Sequence, residues 1–205
     1  MESSTRLQIL LAAERLFATQ GIDATSLRQV SSEARQRNTA AAKYHFGDKE
    51  TLIRAIFEHR LGVLDARRGE LLRSAGEDER LDDPKVLVAI LVRPLAEQAT
   101  VPGSTYVRFL DRVLEHVGRD VTALPGVGGL EEAVNVGHLV TGRLPYLTEP
   151  RLRPRIRWAG QLIISALADL EGAGQPAAGE PDAETYVAAL IDAVTGLLTA
   201  DTSAP

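Results

Sequence analysis

The chain has 205 residues, 44% of them apolar and 25% charged, which allows a sizeable buried core and matches the balance of an ordinary globular protein. It contains no cysteine, so disulfides and thiolate metal sites are excluded, and no apolar run reaches the length of a membrane span. The formal net charge is −5, but residues 1–60 carry nine Lys/Arg against seven Asp/Glu while the remainder carries fourteen against twenty-one. The positive excess is confined to the N-terminal third, which permits contact with a polyanion without demanding it. The opening residues lack the basic-then-apolar layout of a signal peptide, so a cytoplasmic location is expected.

Helical periodicity dominates the chain and strand alternation is absent, which predicts an all-α fold. Thr5-Arg6-Leu7-Gln8 reads as a capping box opening a first helix. Ile9, Ala13, Leu16 and Phe17 share one face of it, and Gly21 supplies the residue that ends it. Thr25 or Ser26 caps a short second helix with Leu27, Val30 and Ala34 inward. The polar interval Arg35-Gln36-Arg37-Asn38 precedes a third short helix from about Thr39 to His45. Phe46-Gly47 breaks that helix, and Asp48 caps a long fourth one burying Leu52, Ile53, Ile56, Phe57, Leu61 and Leu64.

Gly76 to Asp83 is acidic and poor in apolar residues, the pattern of a linker, and Pro84 stands where a first-turn proline belongs. The following helix is expected to kink or stop near Pro94. After Pro102-Gly103, a helix carries Tyr106, Phe109, Leu110, Val113 and Leu114. Leu124 to Gly129 is predicted as a loop, followed by a helix from Leu130 to about Leu144. A long helix runs from about Arg155 to Leu170, Gly172 to Pro181 forms a linker, and a last helix spans about Ala183 to Leu198.

Residues 25–50 are the informative stretch. Two short helices across a tight polar turn fit a helix-turn-helix, whose second helix can enter a major groove. The outward side chains of that helix are small (Thr39, Ala40, Ala41), which permits close approach to base edges. Arg35, Gln36, Arg37, Asn38, Lys43, Tyr44, His45 and Lys49 surround it with the groups that grip phosphates and set register. Thr25 and Ser26, at the start of the first of the two helices, complete the candidate DNA-binding set.

The run Arg28-Gln29-Val30 through Ala34, then Gln36-Arg37-Asn38-Thr39-Ala40-Ala41-Ala42-Lys43-Tyr44-His45-Phe46-Gly47-Asp48-Lys49-Glu50, resembles the DNA-binding signature of the TetR family of transcriptional regulators. Ala12-Ala13, Leu16-Phe17 and Gly21 match that family's first helix, and the combined pattern covers about residues 5–57. The resemblance implies a three-helix DNA-binding domain over residues 1–48 and a helical effector-binding and dimerisation domain over 49–205, joined by a helix over 49–73. It also implies that the third helix reads the major groove, and that Tyr44, His45 and Lys49 meet the phosphate backbone. Relatives usually carry Gly at the turn position held here by Arg35, where a left-handed backbone costs Arg more.

The implied function is a ligand-responsive regulator, a repressor binding a palindromic double-stranded operator as a homodimer, with a small-molecule effector of unknown identity and no cofactor, metal or membrane. For the effector, Tyr106, Phe109 and Tyr146 with polar Arg112, His138 and Thr141 are the candidate lining. For the dimer, Ala159, Leu162, Ile163, Ala166, Leu190 and Val194 on the two long C-terminal helices are the candidate interface, forming a four-helix bundle. The competing reading is a small helical ligand-binding protein or enzyme that does not regulate transcription. It calls for a convergent acid/base or metal constellation, and His59, His116 and His138 lack the spacing of one. Gly126-Val127-Gly128-Gly129 has neither the preceding strand nor the following Lys-Ser/Thr of a phosphate loop.

Overall fold

The computed structural model describes residues 2–118, 131–174 and 181–201, which form nine α-helices and no strand among the described residues. The predicted loop at Leu124 to Gly129, Leu130 and the larger part of the predicted Gly172–Pro181 linker lie outside the described residues. The helices are α1 (Glu2–Gln20), α2 (Leu27–Glu33), α3 (Ala41–Phe46), α4 (Lys49–Glu77), α5 (Pro84–Ala99), α6 (Tyr106–His116), α7 (Glu131–Gly142), α8 (Glu149–Ala173) and α9 (Ala183–Thr199).

Several boundaries differ from the expectation, each for a local reason. Thr5 lies inside α1, not at its cap, because Glu2-Ser3-Ser4 contains no breaker and the helix extends through it. α3 begins at Ala41, two residues later than expected, because Asn38 closes its own turn: its side-chain oxygen accepts from the Ala40 N–H at 2.9 Å and its carbonyl from the Ala41 N–H at 3.0 Å. α4 continues to Glu77, beyond the expected end at 73. α5 does not stop at Pro94. The turn around Pro94 loses one backbone hydrogen bond, but Pro94, Leu95, Ala96 and Ala99 are all buried, and that packing carries the helix through. α8 starts at Glu149, six residues before the expected Arg155, with Pro150 in its first turn where no N–H is needed.

α4 is the spine. Its N-terminal half packs against α1 and α3, and its C-terminal half against α5 and α7. α6 lies between α1 and α8, while α9 closes the far side against α5 and α8. The N-terminal helices are therefore fused to the helical body, not tethered to it. An aromatic cluster marks the joint: Phe109 of α6 sits 6.3 Å from Phe17 of α1, 5.5 Å from Phe57 of α4 and 6.1 Å from Tyr106, ring centre to ring centre. All four rings are buried.

Inside this body two carboxylates cap helices to which they do not belong. Asp65 of α4 accepts from the Glu132 and Ala133 N–H groups at 2.8 and 3.0 Å, satisfying the first turn of α7. Glu171 of α8 accepts from Ser104 Oγ at 2.7 Å and from the Val107 and Arg108 N–H groups at 3.2 and 2.9 Å, doing the same for α6. Each negative charge faces the positive end of a helix dipole, which offsets part of the cost of its burial.

Candidate nucleic-acid interface

The geometry of residues 21–50 follows from a chain of local hydrogen bonds. Gly21, at φ +87°, donates to the Phe17 carbonyl and ends α1. Ser26 caps α2: its hydroxyl accepts from the Gln29 N–H at 3.2 Å, while the Gln29 side chain accepts from the Ser26 N–H at 2.8 Å. At the other end, the Arg35 N–H reaches the Ser32 carbonyl and the Gln36 N–H reaches the Ser31 carbonyl. This paired pattern requires a left-handed residue after the cap, and Arg35 takes it at φ +53°. The turn thus keeps the shape that glycine usually provides, with an exposed guanidinium added.

Ser31 fixes the angle between the two short helices. It is fully buried, donates to the Leu27 carbonyl at 3.0 Å and accepts from the Ala42 N–H at 2.9 Å. One hydroxyl therefore stitches α3 onto α2, a role the sequence reading did not assign. The far end of α3 is set by Gly47, at φ +77°, and by Asp48, whose carboxylate accepts from the Thr51 N–H at 2.7 Å. That bond and the Thr51 hydroxyl hold the Asp48 carboxyl below its usual range.

Ala41, Ala42 and Phe46 are buried, so α3 presents Lys43, Tyr44 and the partly exposed His45 outward. Tyr44 is 82% exposed, far more than a tyrosine retained for core packing. Arg37, Asn38, Thr39 and Ala40 continue this exposed surface across the turn, and Ser26 and Arg35 flank it. The Arg6 guanidinium stacks over Phe46 at 4.9 Å, placing another cation beside it. The result is an exposed, basic surface on a hydrogen-bonded frame.

Three expected contacts sit differently. Thr25 is buried, and its hydroxyl donates to the Gly21 carbonyl at 2.8 Å, so it stabilises the loop and offers nothing to a groove. Gln36 is partly buried and bonds Gln8 of α1 and the Ala34 carbonyl. Lys49 points its ammonium at the Ile22 and Asp23 carbonyls, at 2.7 and 3.3 Å, and so braces the α1–α2 loop against the start of α4.

The joint between this surface and the helical body is polar as well as aromatic. Glu14 of α1, 2% exposed, receives two bonds from Arg60 of α4, at 2.8 and 2.9 Å, and a third from the Thr105 hydroxyl before α6, at 3.1 Å. Burial opposes the charge on Arg60, but the Glu14 carboxylate outweighs it and the guanidinium ends above its usual range. At its other end, α6 brings His116 Nδ1 to 3.2 Å from Asp23, in the loop that Lys49 holds. α6 is thus fastened to the DNA-binding helices at both ends.

The six residues expected to line an effector cavity do not converge. Tyr106 and Phe109 are buried core, Arg112 is half-exposed and pairs with Glu115, His138 is exposed, and Tyr146 is exposed with its hydroxyl on the Thr199 carbonyl. Thr141 donates back to the His138 carbonyl within α7.

The expected dimer face also divides. Ala159, Ile163, Leu190 and Val194 are buried within the protomer, while Leu162 and Ala166 remain partly open. The outward stripe lies about one residue around the helix from the expected face. It runs through Trp158, Leu162, Ser165 and Ala166 on α8 and through Ala189, Ala193 and Gly196 on α9. Trp158 is 49% exposed.

A short, rigid helix-turn-helix with an exposed basic face, fused through α4 and α6 to a larger helical body, defines a DNA-binding regulator. Residues 9–56 match the model of the bacterial regulatory proteins of the tetR family. No curated protein matches the chain. Among solved structures, the fold is similar to that of a mutant HlyIIR protein, with 16% identity, a TM-score of 0.56 and 98% of each chain covered. It is also similar to NalD, the secondary repressor of the MexAB-OprM multidrug efflux pump in Pseudomonas aeruginosa, with 20% identity, a TM-score of 0.50, and 98% of this chain and all of that one covered. Among the described residues no helix is long and apolar enough to cross a membrane, and no group of side chains is arranged to hold a metal ion.

If Arg35 combines a strained backbone with a phosphate contact, one substitution separates the two. Arg35→Gly is expected to stabilise the free protein by about 1 kcal/mol, since glycine adopts the left-handed conformation without penalty. The same change lowers affinity for random DNA and flattens its salt dependence by about one unit. Thermal melts and DNA titrations at several salt concentrations check both halves.

Proposed function

We propose that the chain is a ligand-responsive repressor that binds a palindromic operator as a homodimer and acts in the cytoplasm. The single observation carrying this is the exposed face of α3 and its preceding turn, held by Ser31, Arg35 and Asp48 at both ends. Thr39 and Lys43 are assigned to base edges. Arg35, Arg37, Tyr44 and His45 are assigned to phosphates, and Ser26 and Asn38 set the frame. The exposed stripe of α8 and α9 pairs with its symmetry mate, so two copies of α3 enter successive major grooves on one face of the DNA.

Effector control runs through α6. A ligand that favours one placement of α6 also favours one placement of Glu14 and Asp23, hence one spacing of the two reading heads. It shifts that balance only by its differential affinity for the two states. NalD, whose fold this chain shares, is a repressor, and repression is the direction adopted here.

The test is retardation of the DNA upstream of the protein's own gene, by wild type and by Lys43→Ala. The substitution is expected to change the ranking of single-base operator variants, with about 1–3 kcal/mol lost per base contact. An unchanged ranking refutes the assignment of Lys43 to the bases.

A further inference from the structure

Among the described residues, four buried side-chain atoms lack a hydrogen-bond partner, Arg68 Nε, Tyr106 Oη, Arg108 Nε and Arg143 Nε, and the first two lie deepest in the helical body. Arg68 of α4 is 5% exposed, and its Nε has no hydrogen bond. Among the described residues its guanidinium meets only Asp65, through one contact of 3.5 Å at the limit of a hydrogen bond. Asp65 is already committed, with both oxygens accepting from the first turn of α7. Tyr106, at the start of α6, is fully buried and its hydroxyl is likewise without a partner.

The two groups stand in one polar region: the Arg60 guanidinium lies over the Tyr106 ring at 5.7 Å, and Arg68 follows about two turns further along the same face of α4. Arg68 and Arg60 are the cations whose fields reach the Tyr106 hydroxyl, and Glu14 is the anion that does so. Burial pushes the Arg68 guanidinium down from its usual range against the pull of Asp65, and burial pushes the Tyr106 phenol up. A buried guanidinium with one weak contact and a buried hydroxyl with none are each costly in a folded protein. A bound acceptor removes both costs together.

We propose that the effector of this regulator is a small organic monocarboxylate whose carboxylate docks between Arg68 and Tyr106. The inference rests on the reading of the chain as a ligand-responsive regulator. A guanidinium edge and a phenol O–H together match two carboxylate oxygens. Asp65 and Glu14 close by, each already bonded, disfavour a dianion such as phosphate. Phe57 and Phe109 beside Tyr106 suit an apolar body attached to the charged head. Docking at Tyr106 acts on the first residue of α6, one residue from the Thr105–Glu14 bond that ties α6 to α1, which gives the carboxylate a direct route to the DNA-binding helices.

The experiment uses the full chain and measures melting temperature and calorimetric binding with benzoate and hexanoate, with their amides benzamide and hexanamide, and with inorganic phosphate. At least one carboxylate is expected to raise the melting temperature in proportion to the logarithm of its concentration, while its amide and phosphate do not. Arg68→Met should cost little stability when free, because Arg68 gives Asp65 only one contact of 3.5 Å while the α7 N–H groups hold both Asp65 oxygens, and should lose the carboxylate response. Tyr106→Phe should keep the fold and weaken carboxylate binding about ten-fold or more, the usual worth of a hydrogen bond to a charged group.

The proposal is overturned if neither carboxylate shifts the wild type, if amide or phosphate binds as well as carboxylate, or if Arg68→Met responds like wild type. A large loss of stability in free Arg68→Met overturns it as well, since Arg68 would then be satisfied without a ligand. DNA retardation in the same samples keeps the two readings apart: DNA bound without any carboxylate response removes this inference alone, whereas failure to bind DNA removes the regulator reading.

Discussion

Replacing Glu14 with Gln should cost the free protein about 2–3 kcal/mol, the penalty of breaking a buried ion pair reduced for the partial exposure of Arg60. Glu14 is the only one of the two partners that is fully enclosed, with side-chain exposures of 3% against 24% for Arg60. The amide can still accept one of the bonds that Arg60 and Thr105 now donate, but it cannot balance the guanidinium charge. Urea denaturation should show a lower midpoint with an unchanged slope, since the folded state keeps its extent. The double variant Glu14→Gln/Arg60→Met should recover most of the loss, because it leaves no orphaned charge. It should also bind DNA yet release it poorly on effector addition, because the charged Glu14–Arg60 link that braces α1 against α4 beside α6 is gone. A double variant as destabilised as the single one would mean that Glu14 acts through packing alone.

The second large effect concerns assembly. Leu162→Arg should give a folded monomer whose operator affinity falls by about two orders of magnitude or more, the advantage lost when two linked reading heads become independent. Leu162 lies on the outward stripe of α8 beside Trp158 and is only partly buried in the protomer, so the charge meets the partner and not the core. Leu190→Arg is the contrasting case: Leu190 is 6% exposed, and its substitution is expected to unfold the chain. Sedimentation together with circular dichroism distinguishes the two outcomes.

These residues also show how far the sequence could be read. Breakers and caps announced the helix-turn-helix because Gly21, Ser26, Gly47 and Asp48 act within a few residues of themselves, and local chemistry is what a sequence displays. The same reasoning misplaced the start of α3, since Asn38 can close a turn or open a helix and only the surrounding packing decides. Near Pro94 a kink or a stop was expected, and α5 does not stop there, because a local rule sees the lost hydrogen bond and not the burial that offsets it.

The buried polar joints were harder to see, though not silent. Glu14 falls on the apolar stripe with Leu10 and Phe17, Asp65 on that with Leu61 and Leu64, and Glu171 on that with Ile164 and Leu167. A carboxylate on an apolar stripe signals a buried partner, but the partner lies 46 residues away for Glu14 and 67 for Asp65, and periodicity carries no information at that range. The outward stripe shows the same limit: two apolar faces on α8 and α9 were legible, but which faced inward depends on the helices packed against them. For the effector, aromatic content drew attention to Tyr106 and Phe109, and only the fold reveals that the buried Tyr106 hydroxyl has no partner.

A dimer of this chain is expected to read DNA sequence through two copies of α3. Selection of bound duplexes from a random pool by the full-length protein, with the mass of the recovered complex measured by sedimentation, tests it most directly. The account predicts enrichment of a palindrome whose half-site centres lie about one helical turn apart, or a multiple of it, roughly 34–36 Å or its multiples, occupied by two protomers or a multiple of two. A pool that stays random, or an enriched single half-site held tightly by one protomer, would contradict it.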